Sequence, residues 1–64
     1  MQHEIARLAD LRRGDRVWIR TLSGPRWLMV EEVVLLETDL FRINFTSGHS
    51  RRCLAGAVFP RRRG

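Results

Sequence analysis

Between Gly14 and Phe45 apolar side chains return at nearly every second position, in three runs separated by turn residues. That period of two belongs to β-strands that bury one face, and it leaves little room for a helical core. The runs are Arg16–Leu22, Trp27–Leu36 and Leu40–Phe45. Ser23-Gly24-Pro25 and Thr38-Asp39 mark the turns between them.

In the first run Val17, Ile19 and Thr21 share one face, and Trp18, Arg20 and Leu22 share the other. Folding Leu22 onto Trp27 sets Thr21 opposite Leu28, Ile19 opposite Val30 and Trp18 opposite Glu31. The expected inward set is Val17, Ile19, Leu28, Val30, Phe41, Ile43 and Phe45. Trp18, Arg20, Leu22, Trp27 and Met29 then face outward. Glu31-Glu32 interrupts the second run and predicts a bulge or sharp bend, which lets a long strand curve.

The flanks are shorter. Ile5, Leu8 and Leu11 recur at spacings of three and predict a short N-terminal helix, ending by Gly14, that lies on the barrel. Thr46-Ser47-Gly48-His49 predicts a hairpin turn, followed by a strand over Ser50–Leu54. Ala57-Val58-Phe59 reads as a closing strand that Pro60 ends at an edge. Arg61–Arg63 with Gly64 reads as a mobile basic tail. The whole, residues 1–64, is one small domain with a helical lead-in over 1–11: a mainly β, five-stranded barrel.

The spacing Leu11-x-x-Gly14-Asp15-x-Val17, then Trp27-x-x-Val30-x-x-Val33, then Phe41-x-Ile43-x-Phe45-x-x-Gly48 resembles the SH3-like small barrels, the Tudor and KOW types in particular. That resemblance spans roughly residues 11 to 60 and implies a binding module for nucleic acid or peptides. The Gly14-Asp15-x-Val17 opening also resembles Hint-type splicing domains, but neither a splice-junction nucleophile nor a His-Asn terminus accompanies it.

Sixty-four residues leave no room for a deep catalytic pocket beside a core. Cys53 is the lone cysteine, so the chain forms no internal disulfide and reads as cytoplasmic. No apolar run reaches membrane-spanning length. His3, His49 and Cys53 lack metal-ligand spacing, and Cys53 lacks the base and orienting group of a nucleophile. No metal, no cofactor and no enzymatic activity are therefore expected.

The formal net charge is +5, and all twelve basic residues are arginine. Guanidinium forks suit phosphates and carboxylates, although a GC-rich codon supply would also favour arginine. The arginines cluster as Arg12-Arg13 with Arg16, as Arg51-Arg52, and as Arg61-Arg62-Arg63. Glu31, Glu32, Glu37 and Asp39 gather near the end of the second strand. Convergence of the arginine clusters would make a phosphate-binding stripe, with Trp18, Arg20 and Trp27 as stacking residues. The expected function is a small basic module for DNA or RNA in a bacterial or phage setting. A second reading docks the Trp/Met/Leu patch on a protein or on a second copy of the chain. A third has the N-terminal helix cover the tryptophans as a minor core.

Overall fold

A computed structural model describes residues 3–63. The elements are β1 (Glu4–Arg7), a 3-10 turn (Leu8–Asp10), β2 (Arg16–Thr21), β3 (Gly24–Glu37), β4 (Leu40–Phe45), β5 (Ser50–Leu54) and β6 (Val58–Arg62). All six strands form one antiparallel sheet in the order β1-β6-β2-β3-β4-β5. The sheet is open, with β1 and β5 at its two edges. The closed five-stranded barrel expected from the sequence is thus corrected to six strands that do not close.

The fourteen-residue β3 is the spine. Its first half pairs with β2 and its second half with β4. Val30 faces Phe45 and Glu32 faces Asn44, so Glu31 is the extra residue of a bulge, as the acidic interruption suggested. A second irregularity falls between Leu35 and Glu37.

The register of the first hairpin differs from the expected one. Thr21 pairs with Gly24, Trp18 with Trp27 and Val17 with Leu28. The turn is centred on Leu22-Ser23, because Gly24 adopts φ +107° and the Thr21 hydroxyl clamps it. That hydroxyl accepts the Ser23 N–H at 3.2 Å and donates to the Gly24 carbonyl at 2.6 Å. Pro25 consequently lies inside β3, opposite Arg20. It is tolerated because β4 pairs with β3 only from Val30 onward, which leaves the other edge of β3 free at Pro25. Both registers have the same parity, so every side chain keeps its predicted face.

The N-terminal helix is absent. Residues 4–7 instead extend the sheet, with Glu4 opposite Arg61, Ile5 opposite Pro60 and Ala6 opposite Phe59. An isolated helix this short is marginal in water, whereas β6 offers a ready hydrogen-bonding edge. Ala6, Leu8 and Leu11 enter the core, but Ile5 stays 64% exposed. Met1 and Gln2 of the expected lead-in lie outside the described residues, as does Gly64 of the expected tail.

The core joins Val17, Ile19, Leu28, Val30, Ile43 and Phe45 to Ala6, Leu8, Leu11 and Phe59, with Phe41 half-buried against it. Gly14, at φ +93°, donates to the Val30 carbonyl, and the Val30 N–H donates to the Asp15 carbonyl at 2.7 Å. This is the geometry of a bulge with glycine in its first position. It turns the Asp15 side chain inward, where it accepts the Arg12 N–H at 2.9 Å. Asp15 is therefore structural.

Arg61 and Arg62 are strand residues and not tail. β6 alternates, with Phe59 and Arg61 inward and Val58, Pro60 and Arg62 outward. The Arg61 guanidinium, 8% exposed, donates to Glu4 Oε1 at 2.6 Å, to the Asp10 carbonyl at 2.9 Å and to Asp15 Oδ2 at 3.4 Å. One cation thus ties β1, the 3-10 turn and the start of β2 to β6. Hydrogen bonding and charge from Arg61 hold the Glu4 carboxyl below its ordinary range. Glu4 in turn raises the Arg61 guanidinium above its own.

Candidate functional site

The outer faces of β1, β6, β2 and β3 form one continuous surface. β2 contributes Arg16, Trp18 and Arg20, and β3 contributes Trp27 and Met29. β6 adds Val58, Pro60 and Arg62, and β1 adds Ile5 and Arg7.

Trp18 and Trp27 are directly opposed across the β2–β3 ladder. Asp15 and Val30 fix the phase of that ladder, which makes 18 and 27 a non-hydrogen-bonded pair, the closer of the two kinds. Their ring centroids lie 5.3 Å apart, tilted at 60°. Such aromatic pairs add to sheet stability. The His3 ring lies 5.9 Å from Trp27 on another side. The Arg62 guanidinium sits 4.8 Å over the Trp27 ring as a cation–π contact. Trp27 is therefore hemmed in and half-buried, while Trp18 is 42% exposed. His3, Trp18, Trp27 and Pro60 line a notch of about 270 Å³.

Arg16 stands opposite Arg62 in the β2–β6 pairing. Among the described residues no carboxylate forms an ion pair with Arg16, Arg20 or Arg62; the ion pairs involve Arg7, Arg61 and Arg63. Like charges directly opposed across strands repel, and an anion between them relieves the repulsion. This face carries concentrated positive charge around an exposed indole.

The sequence-predicted residues do not all meet here. Trp18, Arg20, Trp27 and Arg16 do, and Arg62 joins them from β6. Arg12 and Arg13 are exposed in the loop before β2; the Arg12 guanidinium donates to the Ala9 and Leu11 carbonyls at 3.2 Å. Arg51 and Arg52 are on β5, at the sheet edge opposite β1, so the three clusters do not form a single stripe along neighbouring strands. Arg61 is enclosed by Glu4 and Asp15 and presents no free fork. Arg63 is exposed and its Nε lies 3.3 Å from Glu4 Oε1. Among the described residues no helix covers the tryptophans.

Sequence reasoning missed His3 and Pro60 as neighbours of the indoles and placed Arg62 in a tail. The alternation Val58, Pro60, Arg62 against Phe59, Arg61 carried the signal, masked by the proline and the arginine run. Cys53 is half-buried on β5, and burial raises its thiol above the ordinary range, so it remains a neutral thiol. His49 contacts the Ser47 hydroxyl at 2.8 Å in the β4–β5 turn. Among the described residues no helix is long and apolar enough to cross a membrane. Set beside family models, curated proteins and solved structures, the chain matches none.

Proposed function

We propose that this chain is a small, non-enzymatic module that binds single-stranded DNA or RNA on the outer face of β1-β6-β2-β3. A base stacks on the exposed indole of Trp18, and Arg16, Arg20 and Arg62 take the flanking phosphates. The observation that carries the proposal is the surface itself: Trp18 stands exposed between Arg16 and Arg20 on one strand face, and Trp27 packs beside it from the neighbouring strand. Base stacking on aromatics tolerates any sequence, while arginine supplies the salt-sensitive part of the affinity. An SH3-like kinship and a cytoplasmic location belong to the same proposal. The first is supported by the five-strand run β6-β2-β3-β4-β5 bent at Glu31, and the second by the single cysteine.

A second reading rests on exposed Ile5 and Val58, which extend the indole patch as apolar surface for a protein or a second copy. Fluorescence titration of single- and double-stranded oligonucleotides across a salt series, with light-scattering mass alongside, separates the two. The first reading expects tighter binding to single strands, opposed by salt and lost in Trp18→Ala. A salt-indifferent dimer with no affinity for any oligonucleotide at low salt would establish the second.

A further inference from the structure

The sheet has a seam that no strand fills among the described residues. The Val30 N–H donates to the Asp15 carbonyl, so the ladder directs the backbone groups of 17, 19 and 21 toward β3. Those of Arg16, Trp18 and Arg20 point the other way. β6 pairs there only with Arg16 and Val17. Pro60 explains the stop: the next amide in line for the Trp18 carbonyl would be its own, and proline has no N–H. Among the described residues the Trp18 carbonyl and the Arg20 backbone groups are left without a strand partner.

β5 supplies the other border. Phe45 N–H donates to the His49 carbonyl and Ala55 N–H to the Asp39 carbonyl, at the two ends of the β4–β5 ladder. Residues 51 and 53 therefore bond toward β4, and the backbone groups of Ser50, Arg52 and Leu54 point outward from the sheet edge. Between the two bare edges lies an open groove of about 600 Å³, lined by residues 19–23 on one side and His49 and Ser50 on the other.

Bare strand edges are templates for another strand. We propose that this groove takes an extended, acidic segment of a partner protein, which adds to β5 backbone to backbone and fills the seam toward β2. The charge selects the occupant. Arg20, Arg51 and Arg52 are exposed along the borders, the groove lining holds no carboxylate, and among the described residues none of the three arginines has an ion-pair partner. A second copy is disfavoured, because its β5 would set its own arginines against these. A polynucleotide offers no alternating N–H and C=O groups to pair with a strand edge. Arg20 borders both surfaces, but the β5 side of this site lies off the indole face, and the proposal stands without the nucleic-acid reading.

The test is amide-resolved NMR of the full chain with a blocked peptide of about eight residues alternating glutamate and threonine, long enough to span β5. The amides of 18–21 and 50–54 are expected to shift, and the outward amides of Ser50, Arg52 and Leu54 to gain protection from hydrogen exchange. Arg52→Pro deletes an outward N–H without touching the β4 ladder and is expected to weaken binding about tenfold, more than Arg52→Ala, which removes only charge. Should Arg52→Pro fail to fold, the same peptide N-methylated at alternate residues replaces it and is expected to lose binding to the unaltered protein. No binding of the glutamate peptide overturns the proposal. So do equal binding of the N-methylated peptide, equal binding of a lysine counterpart, and an oligonucleotide that shifts the amides of 50–54.

Discussion

Arg61 Nη2 lies 2.6 Å from Glu4 Oε1, a contact that spans 57 residues of sequence and fastens the last strand to the first. The same guanidinium reaches Asp15, whose carboxylate is nearly buried. Removing it leaves Glu4 with only the exposed Arg63 and leaves Asp15 without its cation, which is costly for the buried acid. Arg61→Ala is expected to lower the thermal midpoint followed by circular dichroism, and truncation after Pro60 to lower it further. Arg62→Ala, which loses only the contact with the Trp27 ring, is expected to lower it less than Arg61→Ala. A truncated chain that melts like the intact one would return residues 61–63 to the status of a tail.

The same contact gives stability a pH dependence. The folded Glu4 carboxyl is held below its ordinary value of 4.5, first by its hydrogen bond to Arg61 and then by that charge. A depressed carboxylate contributes stability that is fully present above the unfolded value and disappears as pH falls through the folded one. Urea midpoints measured from neutrality into acid should therefore decline below about pH 4.5. Glu4→Gln should be less stable at neutral pH and show a shallower acid decline. Glu4 is half exposed, so added salt should shrink the difference.

Phe45 and Phe41 test the inner face. Phe45 is buried at 2% exposure, opposite Val30 across the bulge, whereas Phe41 is half-buried against the core. Phe45→Ala is expected to cost ~3–5 kcal/mol, enough to unfold a domain of this size. Phe41→Ala should cost less. Equal denaturant midpoints for Phe45→Ala and the unaltered protein would contradict the packing.

What the sequence disclosed and what it concealed follow from which interactions are local. Side-chain alternation is local, so the faces of Val17, Ile19, Leu28, Val30, Ile43 and Phe45 were legible even with the hairpin register misplaced. The register depended on Gly24 accepting a left-handed φ and on a hydroxyl clamp from Thr21, and two turn signals in a row, Ser23-Gly24 and Gly24-Pro25, left the turn centre open. β1 was illegible because a four-residue edge strand takes its stability from its neighbour. Ile5, Leu8 and Leu11 mimic a helical stripe, while the structure buries Ala6 and exposes Ile5. The tryptophan pair was half legible: both indoles were assigned to the outer face, but their direct opposition required the true register.

That opposition has a spectroscopic consequence. Two indoles with centroids 5.3 Å apart and planes at 60° should couple as excitons in circular dichroism. Trp18→Phe and Trp27→Phe should each abolish the couplet, since it needs both rings. Trp27→Phe should also lower the melting temperature more, because Trp27 holds His3 and Arg62 as well as Trp18. A couplet surviving either change would mean that the two rings are not opposed.

The distribution of charge around Trp18 separates a real binding face from a generally basic protein. On single strands each arginine–phosphate contact contributes ~0.7 to the slope of log affinity against log salt. Arg16→Ala and Arg62→Ala should each lower the slope by about that amount, because their forks lie on the indole face without carboxylate partners. Arg51→Ala and Arg52→Ala should change it little, since β5 is not one of the four strands that carry the indole face. Trp18→Ala should do the opposite of the arginine changes, weakening binding by ~1–3 kcal/mol at every salt concentration while leaving the slope intact. Arg62 has a further role, since its guanidinium covers Trp27 in the free protein and must leave that ring if Trp27 is to take a base. Arg62→Ala would then lose one phosphate contact and uncover a second stacking surface, so its affinity loss at low salt should be smaller than that of Arg16→Ala despite an equal change in slope. Equal slope losses at Arg16, Arg62, Arg51 and Arg52 would mean that nucleic acid meets the protein through diffuse charge, and the indole face would lose its claim to be the site.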